Sequence, residues 1–378
     1  MPAQRLQEGP QKFLAAAQHK SRTAGLFPVL RLSKEKYREG TVRKFKLLTL
    51  AVLLAASFGI GEADAATRSI LYVGNSQGDD ITIIDLATQK VISTLKVGAL
   101  VHGICAQGDG RKAFVTIESN NTLQVLDTKT NTIAETIQLP GRPNECAVTA
   151  DGHYVVVPLL APANSAVIID LTSKKIVKTL ALRHPHNCFT PEGGSNTIVY
   201  CEERDASRIN RIDLTKMEYT DYVKVAGDPR PFIVTADEKT LYTALSGLHG
   251  MATIDLVNKT MSQIALPTMP WMNCRVEPPN TPVHGITLTP DGKKIWITSV
   301  SDASVYVYDV ASKKLGKKMA VGECPNWISM SHDGKYAAVS NADTDDTSIM
   351  DIKGEKEIAR IKVGKAPKRL KVIEVPQD

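Results

Sequence analysis

Two series of residues run through this chain in step. The first is His102, Asn144, His186, Arg230, His284, Asn326 and Lys368, at intervals of 42, 42, 44, 54, 42 and 42. The second is Asp85, Asp127, Asp170, Asp213, Asp255, Asp309 and Asp351, at intervals of 42, 43, 43, 42, 54 and 42. Both share one period and one insertion, so the chain is a repeat array. A unit of about 40 residues built of short β segments cannot bury its apolar faces alone; stacked around a ring, such units can. The expectation is an all-β, seven-bladed β-propeller of four-stranded blades over residues 66–378.

Each repeat follows one grammar. In Val283–Lys293, apolar and small residues alternate up to Asp291-Gly292, a pair suited to the positive φ angles of a hairpin turn. Lys294–Ser299 and Val305–Asp309 follow as further strands, and the Asp309 carboxylate is placed to bond backbone two residues on. A polar outer strand near Lys314–Val321 completes the unit. The chain starts with three outer strands and ends with a lone inner one. Pairing Arg369–Val375 with Ser69–Val73 closes the ring and removes the open edge.

Ile70-Leu71-Tyr72-Val73-Gly74-Asn75, Ile83-Ile84-Asp85-Leu86 and Pro290-Asp291-Gly292-Lys293 resemble the YVTN-type repeat of secreted bacterial and archaeal propellers, the YncE-like group. The resemblance implies the fold strongly. It implies function weakly, because such repeats serve binding scaffolds, surface proteins, haem-handling proteins and some enzymes.

Residues 1–65 are not expected to join the fold. Arg43-Lys44-Phe45-Lys46, the apolar run Leu47–Ile60 and Ala63-Asp64-Ala65 have the form of a signal peptide, cleaved after Ala65. The signal spans about residues 42–65, and Val42 is a candidate initiator, so residues 1–41 read as an over-extended start. The apolar run is too short for a membrane span. A periplasmic or secreted protein with no stable membrane span after cleavage is expected. Residues 1–65 hold 11 of the 46 Lys and Arg and 5 of the 40 Asp and Glu, leaving 35 of each sign for the rest. A neutral domain lacks the basic footprint of a nucleic-acid binder, so no such partner is expected. A monomer is expected.

The first series stands where inner strands begin, so its seven side chains should ring one mouth of the channel. They are three His, two Asn, one Arg and one Lys, with no acid. Arg230, Lys368 and the polar ring suit a small anionic ligand. Alternatively, His102, His186 and His284, joined by His184 two residues from His186, suit copper, zinc or a haem-type cofactor. The insertion Pro267–Pro282 is placed to fold over this mouth, with Trp271 and Trp327 as aromatic walls beside His284 and Asn326.

Cys188 and Cys201 flank a turn symmetrically and are expected to bond. Cys274, in the insertion, and Cys324 form a second expected pair. Cys105 and Cys146 read as buried thiols on adjacent inner strands, close enough to approach one another. No nucleophile elbow, Walker loop, H-E-x-x-H or C-x-x-C-H is found. The leading expectation is a non-catalytic scaffold that binds a small anionic ligand or a periplasmic protein. A redox protein using the channel-mouth histidines is the alternative. A lactonase-like hydrolase ranks third, because such enzymes rely on channel acids.

Overall fold

The computed structural model describes residues 67–267, 273–276 and 281–377. The signal-peptide and start-site expectations fall on residues outside these, as does Trp271. Among the described residues the chain forms 28 strands, numbered in chain order. They assemble into seven four-stranded antiparallel sheets.

The first blade holds β1 (Thr67–Asn75), β2 (Asp80–Asp85) and β3 (Lys90–Lys96). The second is β4 (Val101–Ala106), β5 (Lys112–Ile117), β6 (Thr122–Asp127) and β7 (Thr132–Gln138). The third is β8 (Ala147–Val148), β9 (Tyr154–Leu159), β10 (Ser165–Asp170) and β11 (Lys175–Ala181). The fourth is β12 (Pro185–Phe189), β13 (Ile198–Glu203), β14 (Arg208–Asp213) and β15 (Glu218–Lys224). The fifth is β16 (Asp228–Val234), β17 (Thr240–Ser246), β18 (Gly250–Asp255) and β19 (Thr260–Ala265). The sixth is β20 (Val283–Leu288), β21 (Lys294–Ser299), β22 (Ser304–Asp309) and β23 (Lys314–Ala320). The seventh is β24 (Pro325–Met330), β25 (Tyr336–Asn341), β26 (Asp346–Asp351) and β27 (Lys356–Lys362). The last strand, β28 (Pro367–Pro376), pairs antiparallel with β1, Ile70 facing Ile373 and Ser69 facing Glu374. The ring closes as the strand count requires.

Burial explains the pattern of each strand. Middle strands such as β10, of sequence SAVIID, are covered on both faces by neighbouring blades and read as continuous apolar runs. Outer strands such as β3 and β11 are exposed and rich in Lys and Thr, which protects the free edge. The core is divided among the blade interfaces. One cluster joins Ile70, Tyr72 and Ile83 of the first blade to Val101, Val115 and Ile117 of the second. Another joins Leu71, Val73 and Ile84 to Ala338 and Ile349 of the seventh, across the closure. Each fully buried Ile, Leu or Val contributes roughly 1.5–3 kcal/mol, so the blades hold one another in place.

The aspartate series ends the third strand of every blade. Each carboxylate accepts backbone N–H groups two or three residues on, as Asp85 does from Thr88 (3.0 Å), Asp170 from Ser173 (2.7 Å) and Asp309 from Ser312 (2.7 Å). The period therefore marks a turn that the fold repeats. The Asp-Gly hairpins place Gly110, Gly152, Gly292 and Gly334 at φ 71°, 68°, 69° and 68°. Where the grammar lapses, at Asp237-Glu238, Glu238 takes the left-handed conformation instead (φ 53°), and Arg211 and Tyr200 hold its carboxylate.

Candidate functional site: the channel throat

The inner strands β4, β8, β12, β16, β20, β24 and β28 line the axis, and the repeat offset stacks their residues in rings. The first ring is His102, Asn144, His186, Arg230, His284, Asn326 and Lys368. The structure brings these residues together, but deep in a throat: the first six are at most 9 % exposed, and only Lys368 is half-buried. His102 and His186 stand edge to face with centroids 6.2 Å apart, and His186 and His284 stand 6.4 Å apart.

The second ring follows one residue later: Gly103, Glu145, Asn187, Pro231, Gly285, Trp327 and Arg369. It packs tightly because two members have no side chain. A Cβ on Gly103 would lie 2.7 Å from the Glu145 Cα, and one on Gly285 would lie 2.9 Å from the Trp327 Cα. Arg369, fully buried, occupies the centre of a network. Its guanidinium stacks on Trp327 at 4.0 Å, pairs with Glu145 at 3.3 Å and donates to the Asn326 side-chain oxygen at 3.0 Å. Its Nη2 lies 3.4 Å from the His102 Nε2.

Acids are present, contrary to expectation. Glu118, Glu145 and Glu202 all reach this region. The first series carries no sign of Glu118 and Glu202, because both come from second strands or the turns after them. In three blades a hydroxyl on the second strand accepts an inner-strand N–H: Thr116 from Gly103 (2.7 Å), Thr298 from Gly285 (2.7 Å) and Ser340 from Trp327 (3.0 Å). In the fourth blade Glu202 takes that place. Its Oε1 accepts the Asn187 N–H (3.0 Å) and lies 3.1 Å from the His186 Nδ1. Glu118 bonds the His102 Nδ1 and lies 3.6 Å from Arg142.

Burial sets the charges. It pushes Glu202 up to about 8, against the opposing charges of Arg204 and Arg230. It pushes Glu145 up to about 7, against Arg369. Burial lowers His102 to about 4; the bond to Glu118 opposes this, and the charge of Arg369 adds to it. Burial, with Arg230 and Arg369, holds His186 well below the usual imidazole range. At neutral pH these two imidazoles are neutral and Glu202 is largely protonated. The fixed charges are then Arg230, Lys368 and Arg369 against Glu118 and a partly ionised Glu145.

Of the four histidines considered as metal ligands, His102, His186 and His284 stand in the first ring. His184 does not join them: it takes φ 51°, which breaks the extended alternation, and its exposed ring meets Asp205 (3.1 Å) and Arg204 (3.2 Å). Among the described residues, the one group of three His, Cys, Asp or Glu side chains with ligand atoms within 4.8 Å of one another is Cys274, Cys324 and Asp343. The sulfurs of that group are joined in a disulfide.

Both expected disulfides form. Cys188 faces Cys201 across β12 and β13. Cys274–Cys324 pins the insertion to the strand-start face. There Arg275 bonds Asp343 (3.1 Å) and Asp345 (2.9 Å), the Val276 carbonyl accepts from Lys368 (3.4 Å), and Thr281 accepts from Arg230 (2.8 Å). Cys105 and Cys146 are bonded too, which corrects their reading as thiols; β4 and the segment leading into β8 run side by side with Cα atoms 5.8 Å apart. The string Gly74-Asn75-Ser76-Gln77-Gly78 spells G-x-S-x-G but forms the β1–β2 hairpin turn. It is not the strand-to-helix elbow of a hydrolase.

Residues 55–196 match the model of the YNCE-like β-propeller family. Over that stretch the chain is similar to the YNCE-like propellers. It is 27 % identical over 188 residues to Antigen Lp49 of Leptospira interrogans, covering 47 % of this chain and 38 % of that protein. It thus spans well under half the length of this curated relative. Among solved structures it is similar to dihydro-haem d1 dehydrogenase NirN (16 % identity, TM-score 0.58, 78 % of this chain and 63 % of the other). It is also similar to a putative 6-phosphogluconolactonase of Bacteroides fragilis (16 % identity, TM-score 0.64, 81 % and 98 %). At such identity the likeness is one of fold.

Proposed function

We propose that this protein is an exported, non-catalytic binding propeller whose throat takes a small anionic ligand at the strand-start face. The observation that carries this is the gathering of Arg230, Lys368 and Arg369 beside imidazoles held neutral. Anions are recognised by buried guanidinium and ammonium groups, and neutral imidazole adds a hydrogen-bond donor or acceptor without adding charge. Three disulfides support an oxidising compartment, where such bonds persist. Each throat carboxylate is already held by a basic or amide group, which weighs against the lactonase-like reading. His102 turns its Nε2 to Arg369, which weighs against a metal on that nitrogen.

The test is thermal stabilisation by inorganic phosphate and small mono- and dicarboxylates. At least one should raise the melting temperature in a saturable way, since a ligand that binds only the native state stabilises it. Arg230→Ala should erase that shift. A shift that survives Arg230→Ala, or a panel with no effect at all, removes the proposal.

A further inference from the structure

Below the plug of Arg369, Glu145 and Trp327 the channel opens again. A cavity of about 280 Å³ lies among the later residues of the inner strands, and no first-ring residue lines it. One side of its wall is apolar and aromatic, and the rest is polar. Phe189 meets Phe232 edge to face at 5.1 Å and approaches Trp327 at 6.3 Å, with Ile104, Ile286 and Ile328 beside them. A pocket of this size suits a ligand smaller than a typical drug molecule.

Glu145, Glu192, Glu374 and Lys371 line this cavity, Glu145 as part of the plug. Lys371 projects inward from β28, and Glu192 stands in the turn after β12. Both are exposed to solvent. Among the described residues neither side chain makes an ion pair or hydrogen bond; desolvation raises the Glu192 carboxyl, and the charge of nearby Lys371 works against that. They flank a gap. The third acid of the lining, Glu374, is already engaged by Ser69 (2.8 Å) and the His332 N–H (3.1 Å).

We infer that this cavity is a second binding site, for a zwitterion with an apolar side chain: a free hydrophobic or aromatic α-amino acid. Lys371 takes the carboxylate, Glu192 takes the ammonium, and the Phe189, Phe232 and Trp327 wall takes the side chain. A ligand with one charge would pair one of these groups and partly desolvate the other without a partner, which costs affinity. The site lies at the opposite end of the axis from the proposed anion site and does not depend on it.

The experiment is calorimetric titration of the oxidised protein with L-phenylalanine, 3-phenylpropionate and phenethylamine. Phenylalanine should bind saturably, and each singly charged analogue should bind roughly tenfold or more weakly, the loss of one charge-assisted pair. Lys371→Met and Glu192→Gln should each weaken phenylalanine to a similar degree. Both residues are exposed, so these variants should keep the melting temperature of the parent. Arg230→Ala should leave phenylalanine binding unchanged. No binding of phenylalanine, equal binding of a singly charged analogue, or affinity indifferent to both variants overturns the inference.

Discussion

Glu202 shows how one side chain can alter a repeat without disturbing it. Its neighbours in the series are hydroxyls that serve the backbone, and Glu202 does the same work while bringing a carboxyl into a dry throat. In the unfolded chain it titrates near 4.3; in the fold it titrates at about 8. Between those values the folded state keeps a proton that the unfolded state releases, so this group lowers stability as pH rises. Glu145 acts alike up to about 7. His102 acts oppositely: between about 4 and 6.5 the unfolded chain takes a proton the fold refuses, so stability rises with pH there. Above 6.5 only the carboxyl effect remains. The denaturant midpoint should therefore decline between pH 6.5 and 8.5, through Glu145 and Glu202 at first and chiefly through Glu202 above about pH 7. Glu202→Gln, which keeps the Oε1 acceptor, should flatten that difference and exceed the parent at pH 8.5 by on the order of 1 kcal/mol or more. A variant that tracks the parent across the window defeats the assignment. None of this was legible in the sequence, where Glu202-Glu203 reads as the polar end of a strand. Arg369 and Glu145 were hidden differently. They stand one position after the visible series, in a register whose seven residues share no chemistry.

At the scale of the element, the inner strands are held by what two of them lack. Gly103 and Gly285 let the next strand's backbone come close, and that approach fits Trp327 and Arg369 into one ring. Beside the Glu145 Oε1, a Cβ at position 103 would meet two backbone atoms, the Glu145 Cα at 2.7 Å and the Asn144 carbonyl oxygen at 2.8 Å. They cannot turn aside as a flexible side chain would. Gly103→Ala should thus push two blades apart at the throat and cost about 1–3 kcal/mol, the usual range for overpacking. Urea unfolding monitored by far-ultraviolet dichroism measures it; a loss under 0.5 kcal/mol would show that the strands have room. The sequence made these strands visible through period and turn chemistry, since Asp-Gly and the aspartate series act locally. It did not disclose depth. The same periodicity that put seven polar residues at one height could not say whether they stand open at a mouth or, as found for six of them, lie buried.

For the whole molecule, the period was enough to count the blades and to pair the ends, because a ring of repeats leaves one consistent way to join first to last. β28 carries that closure. It supplies the inner strand of the first blade, puts Leu370 and Val372 into the interface with the seventh, and contributes Lys368, Arg369 and Lys371 to the axis. A chain ending at Lys365 keeps six complete blades yet loses the contacts that make them a ring. If stability were a plain sum over blade interfaces, as in an open solenoid, this truncation would trim the melting temperature and leave a single transition. In a closed ring it opens an edge strand and uncovers apolar faces on both sides of the gap. The truncated protein should then unfold broadly and well below the parent, or aggregate at temperatures where the parent is native. A synthetic peptide of residues 366–377, added in excess, should restore the sharp transition by pairing with β1. A truncated chain that melts cooperatively within a few degrees of the parent would mean that closure carries no more than its own strand, and that the ring is stable blade by blade.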